Sequence, residues 1–144
     1  EESARSMFLD GFDGAAAATV VEHLRASTAP MAVAQLRVLG GAMARVPAAA
    51  TAFAHRDRPI MAGVGCVYED ARDRPTQDAW ADGFSAALRQ GATGVYVNFL
   101  SDEGPERVRE AYPGATWDRL VEVKRRHDPD NLFRLNQNIP PGPA

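Results

Sequence analysis

The chain has 144 residues, of which 45% are hydrophobic and 24% are charged, a composition typical of a single globular domain with its own core. The net charge of −3 gives no reason to expect nucleic acid or an anionic membrane as a partner. The single cysteine, Cys66, excludes an intrachain disulfide and fits a reducing compartment. We therefore expect a cytoplasmic location, with secretion left open.

The start of the chain gives no targeting signal, and no apolar run reaches the 18 residues that would suggest a membrane span. The first residues, EESARSMF, lack the basic start and the apolar stretch of a signal peptide. They also lack an initiator methionine and begin in the middle of a pattern. We expect the chain to be a piece of a longer protein.

Hydrophobic periodicity near the N-terminus predicts a helix and then a strand. Apolar residues recur every four positions and Asp13 can cap, which predicts a helix over residues 12–27. Residues 32–38 alternate, which predicts a half-buried strand with Gln35 and Arg37 on one of its faces.

Two more strands are predicted in the middle of the chain. Residues 49–55 alternate between small alanines and larger side chains that include His55. After a turn, residues 60–68 predict the next strand, with Gly63 and Gly65 on one face. Glycines at such positions favour the close approach of another backbone or of a large ring.

The last part of the chain predicts a helix, a strand and two further helices. The first helix covers residues 76–90, and the strand covers residues 95–100. A short helix follows over residues 106–111, and then a longer one over residues 116–127 with Thr116 as its cap.

These elements predict an α+β fold: a mainly antiparallel sheet of about four strands, with helices packed on one face. The uncovered face would carry Gln35, Arg37, Thr51, Phe53, His55, Tyr96 and Asn98. A face of this composition favours a ligand that is itself polar and aromatic.

The common short motifs of catalysis and metal binding are missing from the sequence. His23, His55 and His127 lie far apart and have no cysteine or HExxH partners, so we predict no metal site. There is no GxSxG, no Walker pattern and no complete GxGxxG. The chain therefore predicts no self-contained nucleotide site.

Two polar stretches are not explained by local structure. Asn is unfavourable in a strand interior, so the amide of Asn98 must be satisfied by backbone or by a ligand. Asn136 and Asn138 precede no helix that they could cap. We expect Phe133 and Ile139 to anchor this tail.

Three segments of the chain share the features of one family. They are 35-QLRVLGGAMARVPAAATAFAHRDRP-59, 95-VYVNFL-100 and 119-RLVEVKRRHDPDNLFRLNQNIPP-141. The last is the most specific, with K-x-x-x-D-P-x-N-x-F followed by N-x-N-I-x-P. Together they resemble the C-terminal part of the berberine bridge enzyme-like, FAD-linked oxidases, over most of the chain.

The resemblance implies an architecture and a cofactor. In that family an N-terminal domain binds most of the FAD, and a second domain places a large antiparallel sheet over the flavin and the substrate. Residues 1–127 resemble the second half of this substrate domain, and residues 128–144 resemble the tail that returns to the FAD domain. The implied partners are an FAD-binding domain of the same protein and a small-molecule substrate.

The resemblance also implies roles for particular residues. Tyr96 and Asn98 would lie near the flavin, with Tyr96 as the candidate catalytic residue, and Asn136 and Asn138 would approach the cofactor. The candidate substrate-side residues are Gln35, Arg37, His55 and Phe99. The first three match sheet positions of the family that either vary with the substrate or support the core. The residues that would form the turn that docks the tail are Asp128, Pro129, Asn131 and Phe133.

One departure from the family pattern concerns the catalytic base. Many members have a tyrosine where this chain has Phe99, which cannot take a proton. The base would then be Tyr96, another sheet residue or a residue outside this chain. Alternatively, the substrate is an amine or an activated alcohol that needs no strong base.

The sequence therefore predicts a C-terminal fragment of an FAD-dependent oxidoreductase. The whole enzyme would oxidise a C–H bond next to oxygen or nitrogen, with flavin as hydride acceptor and dioxygen as electron acceptor. The alternative is a free-standing α+β module that binds a small molecule or dimerises without catalysis. Self-association of the fragment is expected if a truncated domain exposes an apolar face.

Overall fold

The computed structural model describes residues 1–91, 93–101 and 103–142. The strands are β1 (Glu2–Leu9), β2 (Met31–Val38) and β3 (Ile60–Val67), and the α-helices are α1 (Gly14–Ala26), α2 (Arg74–Leu88), α3 (Pro105–Ala111) and α4 (Ala115–His127). The strands form one antiparallel sheet in the order β1-β3-β2. The predicted α+β class is confirmed, with three strands in the described part of the chain.

Alternation of side chains along the strands divides the sheet into two faces. One face packs against α1 and α2 and forms the main core. Its buried residues are Met7, Leu9, Ala62, Val64, Phe84 and Leu88. The α2 residues in this core recur at helical spacing, which is why a helix places them on one side.

Local signals in the sequence explain where the two core helices begin and how they meet. The Asp13 side chain accepts a hydrogen bond from the Ala16 amide at 2.9 Å, which caps α1 as predicted. Pro75 occupies the first turn of α2, where its fixed φ is compatible with a helix. The Trp80 indole donates to the His23 carbonyl at 2.9 Å and joins α2 to α1.

The opposite face of the sheet, called here the open face, is covered at one end only. A smaller cluster of Val95, Leu100, Val108 and Ala111 packs beside that end, together with Trp117. The Arg107 guanidinium fastens α3 to the edge of the sheet by donating to the Ser6 carbonyl at 3.3 Å. The rest of the open face is left as a groove.

The predicted strand over residues 49–55 is wrong. This region contains a 3-10 turn at Ala48–Ala50 followed by bends. Among the described residues, the outer edges of β1 and β2 are free, but this alanine-rich segment pairs with neither, since alanine is a poor strand former. The segment is instead part of a loop that a backbone hydrogen bond from Leu39 to Pro59 closes at 2.7 Å.

The predicted strand over residues 95–100 is also wrong, because a 3-10 turn forms at Val97–Phe99. The Phe99 amide donates to the Tyr96 carbonyl at 2.9 Å, which closes this turn. Tyr96 and Asn98 are therefore loop residues rather than sheet residues.

Strand β1 was not predicted, because its polar residues leave no apolar alternation in the sequence. Two of these polar side chains instead bond to α2: Ser3 Oγ donates to Asp78 and Arg5 Nε donates to Asp82, each at 2.7 Å.

The four predicted helices are present, with ends within two residues of the predicted ones. The predicted cap of the last helix is wrong, since Gly114, with a φ of +56°, precedes α4 in place of Thr116. None of the helices in the described part of the chain is long and apolar enough to cross a membrane.

Candidate functional site

The open face forms a groove whose floor is made of glycine. Across the three strands, Ser6 pairs with Gly63, and Gly63 pairs with Gln35. The groove has a volume of about 250 Å³, and apolar side chains such as Val33 line most of the rest of it. A Cβ placed on Gly63 would meet no heavy atom within 4 Å. The fold therefore does not require a glycine at this position, and the space above Gly63 is open to a ligand.

An aromatic wall closes one end of the groove. Phe99 lines the groove, and the Arg37 guanidinium lies 4.5 Å from the centre of the Phe99 ring, at cation–π distance. The rings of Tyr96 and Phe99 are 5.6 Å apart. The Asn98 amide donates to the Tyr96 hydroxyl at 2.8 Å. The structure thus brings four of the predicted site residues together, although only Arg37 comes from a strand.

His55 lies apart from the groove, in the aromatic packing beneath this wall. It is 6% exposed, and its ring centre is 4.8 Å from that of Phe8. Nε2 donates to the Glu110 carbonyl at 3.1 Å, and burial lowers the pKa of His55. A Cβ on Gly94 would lie 2.4 Å from the His55 ring, so the loop before Tyr96 packs directly on it. A substrate-side role for His55 stays a prediction.

The two tail asparagines lie in a second cavity, of about 640 Å³. Asn136 has a φ of +58°, and its carbonyl accepts from the Asn138 amide N–H at 2.9 Å. Gln137 ties this turn to the preceding loop by donating to the Leu100 carbonyl at 2.8 Å. The side-chain oxygen of Asn138 is buried and has no hydrogen-bond partner within the described residues.

The tail leaves α4 through a turn that side chains hold in place. The Asp128 carboxylate accepts from the backbone amides of Leu132 and Phe133 at 2.7 and 3.0 Å. Lys124 pairs with this carboxylate and donates to the Phe133 carbonyl at 2.6 Å. The hydrogen bond from Lys124 holds the pKa of Asp128 below its ordinary value. The tail therefore has a defined path toward the second cavity.

A single loop connects the groove with the second cavity. Phe99 forms the wall of the groove, and the next two residues, Leu100 and Ser101, line the cavity of the tail asparagines. Sequence reasoning missed Ser6, which lines the groove opposite Gln35. No sequence signal could have identified it once β1 went unrecognised.

Comparisons with known proteins show which family the chain resembles. The family described as "Berberine and berberine like" matches residues 95–140. An uncharacterized FAD-linked oxidoreductase of Bacillus subtilis, YgaK, is 34% identical over 73% of this chain and 23% of its own length. A chitooligosaccharide oxidase of Gibberella zeae is 30% identical over 74% of this chain and 24% of its own length.

A solved structure shows the same fold. Physcomitrella patens BBE-like 1 has a TM-score of 0.83 at 22% identity, over 99% of this chain and 31% of its own. The chain spans about a quarter of the length of the curated relatives it matches. These findings confirm the predicted resemblance.

Proposed function

We propose that this chain, a part of the berberine bridge enzyme-like family, forms the substrate side of an FAD-dependent oxidoreductase. The enzyme would oxidise a C–H bond next to oxygen or nitrogen. FAD supplies the hydride acceptor when bound and returns the electrons to an external acceptor, which we propose is dioxygen. The names of YgaK, an FAD-linked oxidoreductase, and of the chitooligosaccharide oxidase support this reaction class.

The observation that carries the proposal is the buried side-chain oxygen of Asn138. An acceptor that is buried without a donor costs about 1–3 kcal/mol, so its position calls for a partner that the described residues do not supply. An N–H or O–H group of FAD would supply the missing donor. Asn136 and Ser101 line the same cavity and add further polar groups. The residues present thus fit the cofactor.

The groove would receive the substrate or the face of a flat ring. Its glycine floor leaves the space, and Phe99 gives it an apolar end wall. Tyr96 is the candidate proton acceptor, because Phe99 has no group that can take a proton. The hydrogen bond from Asn98 orients the Tyr96 hydroxyl beside this wall. A substrate that needs no strong base would not require Tyr96.

We further propose an N-terminal FAD-binding domain in the same polypeptide as the partner of this chain. The exposed side chains of the tail support such a partner, since Phe133 is 79% exposed and Leu135 is 84% exposed. The free, buried thiol of Cys66 supports a cytoplasmic location.

The test uses the full-length protein that contains this chain. The reading frame upstream of Glu1 should encode a glycine-rich FAD-binding domain, and the purified protein should show a flavin absorption band. Asn138→Ala should lower the flavin content or, if the flavin is covalently attached, raise its fluorescence through loss of a contact. The melting temperature should change little, because the Asn138 oxygen has no partner to lose among the described residues.

Gln90→Ala is the matched control. The Gln90 amide is fully used inside the chain: it accepts from the amides of Asp10 and Gly11 and donates to the Gly11 carbonyl. Its removal should lower the melting temperature and leave the flavin content per folded protein unchanged. A flavin-free, colourless full-length protein would contradict the proposal and favour the free-standing binding or dimerisation module.

A further inference from the structure

One row of residues across the open face combines a gap with two polar side chains. Ser6, Gly63 and Gln35 are direct neighbours on β1, β3 and β2. Neighbouring strands lie about 4.8 Å apart, so Ser6 and Gln35 flank Gly63 at roughly 10 Å from each other. Both residues line the groove, and Gly63 places no side chain between them.

The unpaired hydroxyl of Ser6 indicates that a ligand binds in the groove. Ser6 is 2% exposed, and its Oγ has no hydrogen-bond partner within the described residues. Its backbone carbonyl, by contrast, accepts a hydrogen bond from Arg107. Buried hydroxyls are normally hydrogen-bonded, so an unpaired one that lines a groove indicates a partner that enters the groove.

Gln35 completes the row from the other side. It is exposed, and its amide offers both an acceptor oxygen and N–H donors. A group held between a hydroxyl and an amide can donate, accept or do both.

The row itself carries no charge, and the Arg107 guanidinium that donates to the Ser6 carbonyl is paired with Glu103 and Glu110. The cation nearest along β2, Arg37, belongs to the next row and stacks on Phe99. Glu2 pairs with Val67, four residues further along β3 than Gly63. The chemistry of the row therefore suits a neutral polar group.

We propose that Ser6 and Gln35 bind a neutral oxygen-bearing group of the substrate, an alcohol or a carbonyl, above Gly63. This inference rests on the proposed function and names the class of group that the groove selects. Ser6 is then a specificity-determining residue, and the apolar remainder of the groove holds the body of the same molecule.

The experiment uses the full-length flavoprotein and two matched probes, phenol and toluene, which differ by a hydroxyl in place of a methyl group. Binding is followed by the change in the flavin absorption band. The wild-type protein should bind phenol more tightly than toluene. Ser6→Ala should weaken phenol binding about 3- to 10-fold, which is the effect of one neutral hydrogen bond, and leave toluene binding unchanged. Gln35→Met should act in the same direction.

Two controls separate the groove from the fold. Ser85→Ala removes another buried hydroxyl without a partner, on α2, and should leave the binding of both probes unchanged. Gly63→Ala places a methyl group on the groove floor and should weaken both probes. Gly83→Ala, an equally unobstructed glycine on α2, should weaken neither.

Several results would overturn the inference. One is a Ser6→Ala protein that binds phenol as tightly as the wild type; another is equal weakening of phenol and toluene. A fall in melting temperature on Ser6→Ala, with unchanged phenol binding, would show that the hydroxyl serves the fold. A flavin-loaded protein without any preference for phenol overturns this inference alone, whereas a flavin-free protein overturns the proposed function.

Discussion

The helix-covered face of the sheet and the C-terminal tail differ in the exposure of their apolar side chains. Leu9 and Phe84 are 0% exposed in the core under α1 and α2. In the tail, Leu132, Phe133 and Leu135 are 69%, 79% and 84% exposed. The first region completes its own core, while the apolar residues of the tail stay exposed within this chain. Contiguous exposed apolar residues of this kind mark interaction surfaces.

Polar side chains in the two regions also differ, in whether they have hydrogen-bond partners. The Gln90 amide finds three backbone partners near the end of the core helix α2. The side-chain oxygen of Asn138 finds none within the described residues. The core thus satisfies its polar groups within the chain, whereas the tail leaves one for the proposed contact with the FAD-binding domain.

The largest expected effect comes from the core. Phe84→Ala should lower the free energy of unfolding of the chain by about 3–5 kcal/mol, because it removes a fully buried ring and leaves a cavity. Denaturant unfolding measures the change. Phe133→Ala is the matched control, since it deletes the same ring from an exposed site and should have almost no effect on this chain. Equal losses for the two variants would break the contrast between core and tail.

An intermediate effect is expected at His55, which joins the core to the loop of the site. Burial lowers the pKa of His55, so the folded state takes up a proton less readily than the unfolded state. As pH falls below about 6.5, the unfolded state is protonated first, and the free energy of unfolding decreases.

His55→Gln should therefore reduce the loss of stability between about pH 7 and pH 5, as measured by urea unfolding at a series of pH values. The wild-type chain, unfolded over the same pH series, is the reference. An unaltered acid sensitivity in His55→Gln would mean that other groups cause it.

The helices could be predicted from the sequence because apolar spacing and capping are local signals. The strands could not all be predicted, because strand formation depends on partners far away in the chain. The alternation in 49–55 is genuine, yet the segment pairs with neither outer edge of the sheet. β1 lacks alternation, yet β3 pairs with all of it.

The site residues were likewise predictable only where a local sequence signal marked them. Tyr96 and Phe99 were singled out through resemblance, and the structure places both on a loop instead of a strand, while their roles stay predictions. Ser6 was not foreseen, because its role depends on its place opposite Gly63 in a strand that the sequence does not announce.

The smallest expected effect on this chain is at Leu135 in the tail. It tests directly whether another domain covers the exposed apolar residues of the tail. Leu135→Ser should change the free energy of unfolding of the 144-residue chain by no more than about 0.5 kcal/mol, because the side chain is 84% exposed. In the full-length protein the same change should destabilise by about 1–3 kcal/mol if a neighbouring domain covers the leucine.

Denaturant unfolding of both proteins gives the two values, and Val38→Ser serves as the control. Val38 is 86% exposed but belongs to the sheet, at the end of β2 rather than in the tail. A selective loss in the full-length protein for Leu135→Ser, and not for Val38→Ser, would locate the covering domain at the tail. If neither protein loses stability on Leu135→Ser, the tail surface stays exposed in the whole protein. The exposed apolar residues of the tail would then not form an interface with another domain.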